Sequence, residues 1–111
     1  MNDAMKFICR LTSNGANQGA IDAFSGSNSY WFASILFKRF IRNNATIMFD
    51  PKSKCFGTRI GGKVYDITGD VTENHKWISW LEYSNKQLKE KITKEMTEWY
   101  GRHCLIFWKL E

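Results

Sequence analysis

Apolar residues recur at helical spacing from residue 29 to residue 42. Phe32, Leu36 and Phe40 fall one above another, and Ile35 widens the stripe. This predicts a helix, with Ser27, Asn28 or Ser29 as its capping oxygen. Lys38, Arg39 and Arg42 in its last turns suit the negative end of the helix dipole, and Asn43-Asn44 ends it. The pattern then changes to strands. Residues 45–49 are β-branched and apolar, and the polar turn Asp50-Pro51-Lys52-Ser53-Lys54 follows them. Residues 55–60 and 63–67 flank Gly61-Gly62, the composition of a two-residue hairpin that requires positive φ. That turn pairs Ile60 with Lys63, Thr58 with Tyr65 and Cys55 with Thr68. Phe56, Thr58, Ile60, Tyr65 and Ile67 then share the core face, while Cys55, Gly57, Arg59, Val64, Asp66 and Thr68 share the other.

The flanks complete the expected layout. Residues 5–11 alternate weakly and read as a strand, TSNGANQG reads as a loop, and residues 20–24 read as one helical turn. Beyond a tryptophan-rich connector, KWISWLEY, residues 84–100 carry the stripe Leu88, Ile92, Met96 and Trp99, with Lys/Glu pairs four apart on the solvent side. Gly101 is expected to close that helix, and HCLIFWKLE to form a last strand. The expected fold class is α+β. One helix packs on a small antiparallel sheet containing the Gly-Gly hairpin, and a C-terminal amphipathic helix and a final strand follow.

Composition narrows the function classes. A chain of 111 residues reads as one domain, residues 1–111, with a single core. Five Trp, four Tyr and eight Phe supply unusually large side chains. The Trp77/Trp80 connector and the CLIFW tail are either lids on that core or uncovered interaction patches. Apolar runs are shorter than a membrane span requires, and no signal peptide is expected. Cys9, Cys55 and Cys104 are odd in number and unpaired in spacing, which argues for a reducing, cytoplasmic setting. A metal site built from Cys55, His75, His103 and Cys104 has no recognised zinc spacing, so neither metal nor other cofactor is expected.

The net charge of +5 is regional. Lys38, Arg39, Arg42, Lys52, Lys54, Arg59 and Lys63 face Asp50 alone between residues 38 and 63, a net +6 that leaves −1 for the rest of the chain. Such asymmetry favours an anionic partner, either nucleic acid or an acidic protein surface.

Three stretches carry a family resemblance: GSNSYWFASILFKRF, FDPKSKCFGTRIGGKVYDITGDVT and KWISWLEY. Over residues 25–83 they resemble small proteins of low-GC Gram-positive bacteria, their phages and their mobile elements. Those relatives have a Cys, His, Asp order like that of a minimal papain-like or NlpC/P60-like cysteine hydrolase. Carried over by position, the resemblance puts the nucleophile on Ser29, the base on Cys55 and the acid on Asp66. Two of these three depart from the pattern. Serine is a weaker nucleophile than thiolate, and a cysteine is a poor base for activating it. The resemblance therefore implies a degraded, non-catalytic hydrolase scaffold. Without catalysis, Ser29 caps the helix, Cys55 is a small buried thiol diagonal to Asp66 across the hairpin, and Asp66 holds a turn.

Three functions follow as expectations. The first is a binding or inhibitor protein that meets an acidic protein surface or a nucleoprotein through Arg39, Arg42, Lys52, Lys54, Arg59 and Lys63. The phage-type resemblance makes an anti-CRISPR role against a bacterial CRISPR effector its concrete form. The alternative is a cysteine-peptidase or amidase-like hydrolase in which Ser29 or Cys55 is an unconventional nucleophile. The third is direct nucleic-acid binding, for which the charge is present but no RNP, KH or zinc-finger signature is.

Overall fold

The computed structural model describes the backbone of residues 3–12 and 29–110 and the side chains of residues 3–10 and 29–102. The expected loop after residue 12, the helical turn at 20–24, and the caps Ser27 and Asn28 lie outside these residues. The described elements are α1 (Asp3–Thr12), α2 (Ser29–Arg39), a 3₁₀ turn (Ile41–Asn43), β1 (Thr46–Asp50), β2 (Cys55–Ile60), β3 (Lys63–Asp66), β4 (Gly69–Asp70), β5 (Ile78–Ser79) and α3 (Lys86–Leu110). The strands form one antiparallel sheet in the order β4-β3-β2-β1-β5. The fold is α+β, as the pattern predicts.

Gly61 and Gly62, at φ 59° and 85°, make the tight turn between β2 and β3. The expected pairs Ile60–Lys63 and Thr58–Tyr65 are present. The pair Cys55–Thr68 is not. β3 ends at Asp66, whose Oδ1 accepts the Thr68 N–H at 2.8 Å and the Thr68 hydroxyl, and this Asx turn sends Gly69 and Asp70 back along β3. At that end of β2, Cys55 pairs with Asp50 of β1 instead.

α2 lies across the core face of β2. Phe56, Thr58 and Tyr65 are buried there, with Phe32, Ala33 and Leu36 supplied by α2. The opposite face is not simply solvated. Met48, Val64 and Val71 form a small second cluster with Trp77 packed against it. Gly57 admits this packing, since a Cβ there would sit 2.6 Å from Val64 Cγ1 and 3.3 Å from the Trp77 ring. The connector's tryptophans are therefore lids. Trp80 lies against Phe49 and Phe56 at 4.9 and 4.8 Å, and it is Ile78 and Leu81 that stand exposed.

Two sequence expectations are corrected. Residues 5–11 belong to a helix, because Ala4, Phe7 and Ile8 form a buried stripe at helical spacing while Asp3, Lys6 and Arg10 face outward. Met5, Phe7, Cys9 and Leu11 also alternate, and so short a run satisfies both periods. The C-terminal helix does not stop at Gly101 and gives way to no final strand. It continues to Leu110, and Gly101 lacks the positive φ of a C-cap glycine. A mid-helix glycine weakens a helix by roughly 1 kcal/mol relative to alanine without ending it. Gly101 is exposed, and a methyl group there meets nothing within 4 Å. Gly101→Ala is thus expected to stabilise the protein by about 0.5–1 kcal/mol, read as a raised urea midpoint. A lowered midpoint would mean that this residue terminates the helix after all.

The stripe of α3 falls as expected, with Ile92, Met96 and Trp99 buried. Trp31 Nε1 donates to the Met96 carbonyl at 3.2 Å and ties α2 to α3. α2 is shorter than its pattern. It passes into the 3₁₀ turn after Arg39, and Asn44 in the left-handed region, φ 58°, makes the stop.

Candidate functional site

Ser29, Cys55 and Asp66 have separate partners. Ser29 is 5% exposed, and its Oγ accepts the Phe56 N–H at 2.7 Å, bolting the start of α2 to β2. One turn later the Thr58 hydroxyl donates to the Ala33 carbonyl at 2.8 Å. Both bonds pair buried side-chain hydroxyls with backbone groups of the facing element. The Cys55 thiol is half-buried and lies 3.7 Å from the Ser53 carbonyl, while Asp66 holds the Thr68 turn. Ser29 and Asp66 are accounted for as structural groups.

A different polar cluster sits at the turn joining β1 to β2. Asp50 is 5% exposed. Its Oδ1 accepts the Lys52 N–H at 3.0 Å, and its Oδ2 accepts the Ser53 hydroxyl at 2.8 Å and His75 Nδ1 at 2.7 Å. Burial pushes the Asp50 carboxyl up, but the bonds from Ser53, Lys52 and His75, with the positive charge of His75, outweigh it and hold the group below its ordinary 3.8. An ionised Asp50 makes Nδ1 the donor. The imidazole also meets Trp77 edge-on at 4.8 Å, and Trp77 is fixed by its own bond to the Val71 carbonyl. Asp50, Lys52, His75, Lys76 and Ile78 line a concavity of about 570 Å³.

Chemically, this cluster is an ionised carboxylate and an imidazole that it orients. Ser53 sits on the Nδ1 side and gives its proton to Asp50, so its hydroxyl is not activated by the imidazole in this arrangement. Sequence reasoning finds the Asp50 turn but not its partner. His75 lies 25 residues away, and the pairing of β1 with β5 brings its loop back. His103 and Cys104, the other proposed metal ligands, lie outside the described side chains. Among the described residues no group of three or more His, Cys, Asp or Glu could hold a metal ion.

Neither a family model, nor a curated protein, nor a solved structure matches this chain.

The basic residues divide between the two ends of the sheet. Lys52 and Lys54 belong to the β1–β2 turn, and Lys52 lines the His75 concavity. Arg39 lies at the opposite end, in a concavity of about 640 Å³ between α1 and α2 that Lys6, Phe7, Arg10 and Asn43 also line. Lys63 lines an adjoining hollow of about 290 Å³ that shares Asp3, Phe40 and Asn43 with the first. Arg42, in the 3₁₀ turn, precedes the shared Asn43, and Arg59 stands exposed on β2. Lys6 and Arg10 are additions that the sequence reading missed. Taken as strand residues they would lie far apart; on a helix they are one turn apart, on a single face. No helix among the described residues is long and apolar enough to cross a membrane.

Proposed function

We propose that this chain is a non-catalytic binding protein that engages an acidic partner through the basic surface at the hairpin end of its sheet. The observation that carries this reading is the convergence of Lys6, Arg10 and Arg39 on one concavity, with Lys63 on its neighbour. The engagement of Ser29 with the Phe56 amide supports it, since a hydroxyl held in the core is badly placed to attack a substrate. Surface charge of one sign speeds encounter with its opposite and loses force with added salt. The partner class is an acidic protein surface or a nucleoprotein. The phage-type resemblance of residues 25–83 makes a bacterial defence complex such as a CRISPR effector the first to test.

The test is capture of a purified CRISPR effector ribonucleoprotein by tagged protein at low and moderate salt. Charge reversal at Lys6, Arg10, Arg39 and Lys63 to glutamate is expected to reduce capture at least tenfold, and reversal at Lys52 and Lys54 to reduce it much less. Equal losses from the two sets would refute the placement of the surface. Undiminished capture after the first set would remove the reading.

One observation favours a residual hydrolase as a second reading, the oriented Asp50–His75 pair. Its test is labelling by serine- and thiol-directed probes. That reading requires labelling of Ser29, Ser53 or Cys55 that His75→Gln abolishes, and labelling indifferent to His75 would dismiss it.

A further inference from the structure

We propose that the concavity between α1 and α2 is a phosphate-monoester site, and that it is there that the acidic partner presents its anion; the inference rests on the binding reading above. Its floor is the Phe7 ring, on a residue only 5% exposed. Two guanidinium groups from different helices sit over this one ring, Arg39 at 4.3 Å and Arg10 at 5.8 Å from its centroid. Each gains a cation–π contact there, yet the ring also brings two like charges together, with Lys6 lining the same space. Like charges beside a poorly hydrated aromatic surface repel, and an anion between them relieves that repulsion.

The number and geometry of donors select the anion. One guanidinium fork satisfies a planar carboxylate with two parallel bonds. Here two guanidinium groups and an ammonium come from two helices to one concavity, which Asn43 also lines. Donors arriving from several directions suit a tetrahedral anion with three terminal oxygens. The charge agrees: Lys6, Arg10 and Arg39 against Asp3 leave a net +2 at the concavity, and a phosphate monoester carries about −1.5 to −2 near neutral pH. Asp3 on the same lining lowers the net charge and can accept from a hydroxyl or amine beside the phosphate. The adjoining hollow with Lys63, Ile60 and Tyr65 gives the rest of such a ligand somewhere to lie.

The experiment is titration of the whole protein, followed through the arginine Nε–H resonances, with inorganic phosphate, a nucleoside monophosphate, and a 5′-phosphorylated single-stranded oligonucleotide beside its unphosphorylated twin. Acetate at matched ionic strength is the control. Saturable shifts of Arg10 and Arg39 with every phosphate probe are expected, absent with acetate. Binding should weaken about threefold or more at pH 5.5, where the monoester loses its second charge. Arg39→Gln and Lys6→Gln should each abolish saturation without lowering thermal stability by more than a few degrees, whereas Lys52→Gln should leave it intact. Tighter binding of the phosphorylated oligonucleotide than of inorganic phosphate would identify a nucleic-acid end as the source, and the reverse order a free phosphate compound. Equal shifts with acetate, or no saturation, overturn the inference. If that happens while effector capture still depends on these cations, the binding reading survives and only the ligand class falls.

Discussion

Phe56→Ala is expected to lower the unfolding free energy by about 3–5 kcal/mol, the range for emptying a fully buried phenylalanine site. The residue has no exposed surface. Its ring meets Tyr30 of α2 edge-on at 5.2 Å, Phe49 of β1 at 4.8 Å and Trp80 of the connector at 4.8 Å. Three segments thus converge on one side chain. Such aromatic pairs contribute beyond their area, and the walls of the cavity belong to different elements that cannot all close inward. Domains of this size are held by only about 5–15 kcal/mol, so the variant should stand near the edge of folding. Phe56→Leu keeps most of the volume and should cost less than about 1.5 kcal/mol. Urea unfolding of the three proteins is the check. A loss below 1 kcal/mol for the alanine variant, with an unchanged m-value, would contradict the packing.

At neutral pH, Asp50→Asn is expected to cost about 1.5–3 kcal/mol, the range for losing hydrogen bonds to a charged group. The carboxylate organises the whole β1–β2 turn. It takes donors from Lys52, Ser53 and His75, while its backbone carbonyl accepts the Lys54 N–H at 2.7 Å. The His75 bond also fastens the loop that follows β4 to the opposite side of the sheet. The cost should depend on pH in a defined direction. Asp50 titrates below its ordinary 3.8 in the folded protein, so the unfolded chain binds its proton first as the solution is acidified. The stabilisation is complete above the unfolded value and is lost as pH falls through 3.8 and then through the folded value. Thermal melts should therefore separate wild type from variant widely at pH 7 and much less near pH 2–3. Some acid sensitivity should persist in the variant, because bonds from Thr72, with Lys63 nearby, also hold Asp70 below its ordinary value. A gap that does not narrow in acid would mean that Asp50 stabilises the turn by shape alone.

Much of the fold is legible in the chain because its signals are local. The Gly61-Gly62 turn dictates its own backbone, and the two-residue period on either side then leaves one register that buries Phe56, Thr58 and Tyr65 together. The stripe Leu88, Ile92, Met96 and Trp99 needs only the helical period. Where two periods fit equally well, as in residues 5–11, local pattern is silent, and burial of Ala4, Phe7 and Ile8 decides for a helix. Gly101 shows the same limit, since glycine permits a C-cap without requiring one.

The candidate sites were less legible, for the same reason. The residues alone determine that the chain carries a regional excess of positive charge and a polar turn at Asp50. They do not determine which charges meet. Tertiary structure brings Arg39 and Arg10 over one phenyl ring with Lys6 on the same concavity, leaves Lys52 and Lys54 at the far end of the sheet, joins His75 to Asp50 across 25 residues, and sets Ser29 against the Phe56 amide. A side chain's chemistry belongs to its residue. Its partners are set by how distant segments bury their apolar faces together, and that is decided only when the whole chain packs.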